Sequence, residues 1–121
     1  MSTNRLPALA LAALATLLAS ACNDERKQEC ALFLPAMKPL DEGIPGADTV
    51  DRVNAAVGAM SFKDQPLGVY AANYRKTLTV LSATLKLKAS SAAPDGTDDV
   101  VKQNLKEART DRDDIQRYCS Q

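Results

Sequence analysis

The chain has 121 residues, of which 45% are hydrophobic and 25% are charged, with 15 basic and 15 acidic side chains. It contains no histidine and no tryptophan, which excludes any metal or haem site that needs an imidazole ligand. The balanced charge gives no electrostatic basis for binding nucleic acid, and the length suffices for one domain with a modest core.

Residues 1–21 have the pattern of an export signal. Arg5 is their only charged side chain, and residues 6–18 are almost entirely leucine and alanine. An apolar run of about 13 residues lies within the range of signal peptides. It is shorter than the ~20 apolar residues that a permanent membrane span requires. We therefore expect residues 1–21 to be removed, which leaves residues 22–121 as one mature domain with a charge of −1.

The end of this segment, Leu17-Leu18-Ala19-Ser20-Ala21-Cys22, resembles the lipobox of bacterial lipoproteins. It departs from the commonest pattern because Ala19 stands three places before the cysteine, where leucine is most usual. In that family a diacylglyceryl group is attached to the thiol, cleavage precedes the cysteine, and the new amine is acylated. The resemblance implies lipid attachment at Cys22, with acyl chains such as palmitate. Ordinary secretion is the alternative, since Ala19-Ser20-Ala21 is also an A-x-A cleavage site.

The chain has three cysteines, Cys22, Cys30 and Cys119. An odd number in an exported protein leaves one thiol to explain. If Cys22 carries a lipid, Cys30 and Cys119 remain as a pair for an oxidising compartment, and closing a loop of about 90 residues stabilises the fold by ~4–5 kcal/mol. Pairing of Cys22 with Cys30 is the rival arrangement. A catalytic thiol is disfavoured because no histidine is present to activate it.

Helical periodicity predicts four amphipathic helices in the mature chain. The first covers Asp24–Leu34, because Pro35 and Pro39 disfavour simple continuation of the helix; a kinked extension is the alternative. The second is capped by Asp48 or Thr49 and runs to Met60, the third covers Pro66–Ala89, and the fourth is capped by Thr97 and ends near Tyr118. The predicted core faces are Val50, Val53, Val57 and Met60 in the second helix; Leu67, Ala71, Tyr74, Leu78, Leu81 and Leu85 in the third, widened by Tyr70, Val80 and Leu87; and Val101, Leu105, Ala108, Ile115 and Cys119 in the fourth.

Four such helices with short connections indicate an all-α protein, a small antiparallel four-helix bundle. In an up-down bundle the first helix starts, and the fourth ends, at the same pole. Cys30 and Cys119 are then brought to similar heights, so the topology and the disulfide prediction agree.

Several side chains are candidates for binding chemistry. Tyr70 and Tyr74, one turn apart, line either a ligand pocket or the core. Arg112 falls on the apolar face of the fourth helix and either binds an anion or lies at the rim with a buried stem. The segment 95–99 resembles the start of a calcium loop, but the EF-hand template fails at Val100 and Lys106. We interpret it as a capping loop.

Charged residues on the last two helices allow two interpretations. The third helix carries Arg75, Lys76, Lys86 and Lys88 without an acidic residue, so it either contacts anionic lipid or faces the acidic fourth helix. In the fourth helix, pairs such as Asp98 with Lys102 and Asp113 with Arg117 stand at i,i+4 spacing. The carboxylates Glu107, Asp111, Asp113 and Asp114 are interpreted as a solvated face.

These features predict a small lipid-anchored protein of the bacterial cell envelope, with its domain in the periplasm. Residues after Cys22 leave inner and outer membrane undecided. A structural or protein-interaction module with an envelope protein partner is the leading hypothesis, and the sequence predicts no nucleic-acid partner. The alternative is a helical bundle that binds a small ligand. No catalytic residue, cofactor site or metal site is predicted, because no catalytic motif is present. A cavity lined by Tyr70, Tyr74 or Arg112 favours the ligand binder. An exposed apolar patch on the first or second helix favours the interaction module.

Overall fold

The structure, a computed structural model, describes residues 24–121. The predicted signal peptide, residues 1–21, and the predicted lipid-attachment residue Cys22 lie outside the described residues. Four α-helices form an all-α bundle, and the described residues contain no strand. Residues 24–37 are helical and are called α1. The others are α2 (Ala47–Gly58), α3 (Gln65–Ala89) and α4 (Thr97–Cys119), and a 3-10 turn at Lys38–Leu40 follows α1.

Side-chain contacts establish the directions of the helices. In α2 and α3, Asp51 contacts Ser82 while Asn54 contacts Thr79, so the two helices are antiparallel. The disulfide between Cys30 and Cys119 sets α1 antiparallel to α4, because Asp41, just beyond α1, contacts Arg112. We call the end with Cys30, the α2–α3 connection and Cys119 the staple pole. The opposite end, with the α1–α2 and α3–α4 connections, is the loop pole.

The predicted core faces of α3 and α4 are confirmed over most of their length. All six predicted positions of α3 are buried, and so are Val101, Leu105, Ala108 and Ile115 of α4. Phe33 and Met37 of α1 are 0% and 1% exposed and complete this core. The widened face of α3 is wrong at Val80 and Leu87, which are 51% and 42% exposed. Both lie on the side that faces away from the neighbouring helices.

The predicted end of α1 is wrong by three residues, because the helix passes through Pro35 and reaches residue 37. A proline removes one helical hydrogen bond, here the bond to the carbonyl of Ala31. Ala31 is exposed, so water can bond to the carbonyl that lacks a helical partner. Extending the helix buries Met37, and burial of such a side chain contributes roughly 1.5–3 kcal/mol. Burial therefore outweighs the local preference of the proline.

The predicted starts of three helices shift by one to three residues. Helix α3 begins at Gln65, one residue before the predicted Pro66. Helix α2 begins at Ala47 after Gly46, so Asp48 lies in its first turn instead of capping it. Helix α4 begins at Thr97, and its N-cap is Gly96 with φ +89°. Glycine takes this left-handed conformation without the steric cost of a Cβ. The Thr97 hydroxyl instead donates to the carbonyl of Pro94 at 2.6 Å.

Candidate functional site

The staple pole is closed by a disulfide between α1 and α4. Cys30 and Cys119 are bonded, with their Cα atoms 5.9 Å apart and a sequence separation of 89. Cys30 is 5% exposed and belongs to the core, whereas Cys119 is half-buried against it. The bond ties the first described helix to the last one, at the pole where the chain emerges from residue 24.

A second set of contacts joins the same helices around the Tyr118 ring. The Tyr118 hydroxyl donates to the Asp64 carboxylate at 2.5 Å, and the guanidinium of Arg26 lies 5.5 Å from the ring centre. Burial and the hydrogen bond to Asp64 raise the pKa of Tyr118, partly opposed by the charge of Arg26. Arg26 also donates to the backbone oxygen of Gln121 at 2.6 Å. The end of α4 is therefore held by both α1 and the start of α3.

Carboxylates cap the backbone of the α2–α3 connection. Glu29 of α1 accepts from the backbone N–H groups of Lys63 and Asp64 at 2.7 and 3.0 Å. Asp64 is the N-cap of α3 and accepts from the N–H of Leu67 at 3.1 Å. Sequence reasoning missed the role of Glu29. No local pattern reveals it, because the carboxylate and the amides that it binds are more than 30 positions apart.

The two tyrosines of α3 do not line a common pocket. Tyr74 is 1% exposed and packs beside Phe33, with ring centres 6.2 Å apart, so it belongs to the core. Burial raises the pKa of its hydroxyl well above the ordinary value. Tyr70 is half-buried and packs against Tyr118 at 5.5 Å between ring centres. It borders a surface depression of about 230 Å³.

The rim position predicted as one interpretation of Arg112 matches its surroundings. Its side chain is 18% exposed and pairs with Asp41 in the segment after α1 and with Asp113 at 3.2 Å. Burial opposes the charge, but the hydrogen bonds that the guanidinium donates to Asp41 and Asp113 outweigh that effect and raise the pKa of Arg112. One helical turn earlier, Arg109 donates to the backbone carbonyls of Leu40 and Gly43. The two arginines fasten the α1–α2 segment to α4.

The predicted i,i+4 ion pairs of α4 are wrong. Asp98 pairs with Lys88 of α3 at 3.2 Å, because the two helices meet at the loop pole. Arg117 pairs with Asp114 instead of Asp113. Neither arrangement follows from spacing within α4, since a partner on the next helix or an i,i+3 partner competes with the i,i+4 residue.

The carboxylates predicted as a solvated face of α4 are not all solvent-exposed. Asp111 accepts a hydrogen bond from Thr77 of α3 at 2.6 Å. Glu107 contacts only Gln103 of its own helix, at 3.5 Å. Asp113 and Asp114 pair with Arg112 and Arg117 of the same helix, so among these four carboxylates only Asp111 contacts a neighbouring helix, and Glu107 and Asp113 are exposed as predicted.

Most basic side chains of α3 face neighbouring helices. Lys86 pairs with Asp51 of α2 at 3.1 Å, and Lys88 pairs with Asp98 of α4. Arg75 donates to Asn54 at 2.8 Å. These contacts support the interpretation in which α3 faces acidic neighbours, although α2 receives as much of the charge as α4.

An apolar groove lies between α1 and the end of α2. Its volume is about 240 Å³, and we call it the Leu32 groove; it is lined by Glu29, Leu32, Ala59, Met60, Ser61 and Phe62. Leu32 is 66% exposed, the largest value among the large exposed hydrophobic residues of the described part. The Glu29 carboxylate is turned to the backbone of the α2–α3 connection. The groove therefore presents mainly apolar side chains to solvent.

Residues 24–121 contain neither a candidate metal site nor a candidate membrane span. No group of three or more acidic or cysteine side chains in this part is arranged to hold a metal ion. None of the helices described there combines the length and apolar character that crossing a membrane requires.

Fold and surface define this molecule as a disulfide-closed helical bundle with an apolar groove on its first two helices. Comparison with protein-family models, with curated proteins and with solved structures finds no match to the chain.

Proposed function

We propose that this protein is a lipoprotein of the bacterial cell envelope that acts as a protein-interaction module. Cys22 is the lipid-attachment residue, and the helical bundle stands in the periplasm. The residues from Leu17 to Cys22 support this proposal through their resemblance to a lipobox. The pairing of Cys30 with Cys119 supports it as well, because that bond accounts for the other two of the three cysteines in the sequence.

The position of the staple pole is consistent with a tether at Cys22. Asp24, the first described residue, follows that cysteine by two positions, and the disulfide fixes α1 at Cys30. From Asp24 to Cys30 the helix rises only about 9 Å. An acyl group on Cys22 would therefore hold the staple pole close to the bilayer and direct the loop pole away from it.

The Leu32 groove is the observation that carries the interaction role. A side chain as exposed as Leu32, set beside Met60 and Phe62, is a site for an apolar contact with a partner. The volume of the groove suits one large apolar side chain. The burial of Tyr74 favours the interaction role over ligand binding. The alternative hypothesis expected this tyrosine to line a ligand cavity, but it is 1% exposed and packs in the core.

Crosslinking in intact cells tests both parts of the proposal. A photo-reactive amino acid at Ser61, beside the groove, is expected to give a discrete crosslinked protein that Leu32→Glu abolishes. The same amino acid at Ala83, an exposed residue of α3, is the matched control. Cys22→Ser is expected to move the protein from the membrane to the soluble fraction and to weaken the crosslink. Identical products from positions 61 and 83 would contradict the interaction role.

A further inference from the structure

A second groove lies along α4 beside the turn from α1 to α2. Its volume is about 580 Å³. Lys102, Lys106 and Arg109 line one side of it, and Ile44 and Leu105 supply apolar surface. We call it the Lys106 groove. The three basic residues follow i, i+4, i+7 spacing, so they share one face of α4 and span about 10 Å along its axis.

The positive charge of this groove is not neutralised within the described part of the chain. Spacing alone would pair Lys102 with Asp98, but Asp98 pairs with Lys88 at 3.2 Å. No ion pair within residues 24–121 involves Lys102 or Lys106. The single carboxylate at the edge of the groove, Asp113, pairs with Arg112.

Arg109 is held in place without losing its charge. Its guanidinium donates to the carbonyls of Leu40 at 3.3 Å and Gly43 at 2.6 Å, and neither acceptor carries a formal charge. A cation fixed in this way loses less side-chain freedom when it binds an anion. It can still donate to an anion, because guanidinium has five N–H groups.

The apolar part of the groove adds a second requirement. Ile44 is 51% exposed, whereas Leu105, which also lines the groove, is only 4% exposed. Of these two side chains, Ile44 therefore presents nearly all of the apolar surface that a ligand can reach. A simple inorganic anion would leave this surface in water. A ligand with an apolar chain next to its charge would cover it, at roughly 25 cal/mol per Å² of buried area.

We propose that the Lys106 groove binds the anionic head of an amphiphile, a phosphate or carboxylate joined to an apolar chain. The lysines and Arg109 hold the head through charge-assisted hydrogen bonds, which are about twice as strong as neutral ones. Ile44 contacts the first part of the chain. The inference is independent of the proposed interaction role, since the two grooves share no lining residue.

Titration with octyl phosphate tests this assignment. The full chain with Cys22→Ser is titrated by calorimetry below the aggregation limit of the amphiphile, in parallel with inorganic phosphate and octyl glucoside. We expect octyl phosphate to bind one per chain and at least about tenfold more tightly than either of the others. Equal affinity for octyl glucoside would overturn the cationic role, and equal affinity for inorganic phosphate would overturn the apolar role.

Matched variants locate the site. Lys106→Glu is expected to weaken octyl phosphate binding by roughly tenfold or more, whereas Lys76→Glu on α3 changes nothing. Ile44→Ser is compared with Val80→Ser, which alters a side chain of the same 51% exposure. Thermal melting of each variant checks that the fold is kept. Equal losses in both members of either pair would overturn the assignment.

Vesicles distinguish the source of the head group. Binding of the Cys22→Ser chain to phosphatidylglycerol vesicles, lost when Lys106→Glu is added, assigns the head group to a lipid surface. Binding to octyl phosphate without binding to vesicles assigns it to a free amphiphile. Absence of binding to both probes overturns the proposal.

Discussion

The two poles of the bundle are held by different kinds of interaction. At the staple pole, a covalent bond joins α1 to α4, and carboxylates of Glu29 and Asp64 bind backbone N–H groups of the α2–α3 connection. At the loop pole, residues 90–96 are all exposed, and the ion pair between Lys88 and Asp98 is open to solvent. At this pole the α1–α2 connection is fastened to α4 by Arg109 and Arg112, whereas the α3–α4 connection has only exposed contacts, so local opening is expected to begin in the α3–α4 connection.

Of the changes considered, removing the disulfide should lower the stability of the bundle most. Cys30→Ser with Cys119→Ser is expected to lower the free energy of unfolding by about 4–5 kcal/mol, because the unfolded chain regains the freedom of a loop whose ends are separated by 89 positions in sequence. Urea unfolding of wild type with and without reductant measures the change. The double variant serves as the control, since reductant must leave it unaffected. A decrease of less than about 1 kcal/mol in the free energy of unfolding would show that the disulfide is not the main stabilising interaction at the staple pole.

Replacing the Glu29 carboxylate, which caps the α2–α3 connection, should lower the free energy of unfolding by less than removing the disulfide does. Glu29→Gln keeps the shape but removes the charge that binds the N–H groups of Lys63 and Asp64, and hydrogen bonds to charged groups contribute ~1.5–3 kcal/mol. We expect a loss near the lower limit because the site is half-exposed. Glu42→Gln, an exposed change near the loop pole, is the matched control. Equal melting temperatures for the two variants would refute the capping role.

The ion pair at the loop pole should contribute little. Lys88→Gln is expected to change the free energy of unfolding by at most about 1 kcal/mol, since exposed ion pairs lose their attraction to solvent screening. The measurement is denaturant unfolding in low and in high salt. The small difference between wild type and variant must shrink further in high salt. A cost as large as that of Glu29→Gln would remove the contrast between the poles.

Acid should act on the half of α2 nearer the loop pole through Asp51. Hydrogen bonds from Ser82 and Lys86 lower the pKa of the Asp51 carboxyl. A lowered folded pKa adds stability above the unfolded pKa of about 3.9, and that stability is lost as the pH falls through the folded value. Ser82→Ala should raise the pKa of Asp51 towards its ordinary value. NMR titration of the carboxyl carbon measures the shift, and an unchanged titration would show that Ser82 has no influence.

The sequence predicts the architecture well because periodicity within each helix is a local property. The core positions of α3 lie where their spacing places them, and the pairing of Cys30 with Cys119 agrees with the up-down topology. Polar contacts were predicted poorly. Asp98 pairs with Lys88 instead of the predicted Lys102, and Glu29 binds backbone N–H groups of the α2–α3 connection. Such partners depend on which helices are neighbours in the fold, and spacing within one helix does not give that information.

Neither the Leu32 groove nor the Lys106 groove could therefore be located from the sequence. Leu32 stands one place before the fully buried Phe33, and periodicity does not reveal that the end of α2 forms a groove beside it. From the sequence, acidic residues of α4 such as Asp98 are expected to neutralise its lysines. In the structure Asp98 pairs with Lys88 of α3 instead. The exposed apolar patch on the first two helices was nonetheless an anticipated mark of the interaction module, and the Leu32 groove has that character.

The central proposal is a helical body tethered by its first mature residue. Mass spectrometry of the protein purified from membranes of its native host tests it most directly. We predict an N-terminal peptide that begins at Cys22 and carries the mass of a diacylglyceryl group and an additional acyl chain. A mature peptide with an unmodified Cys22 would contradict the tether, whatever the two grooves bind.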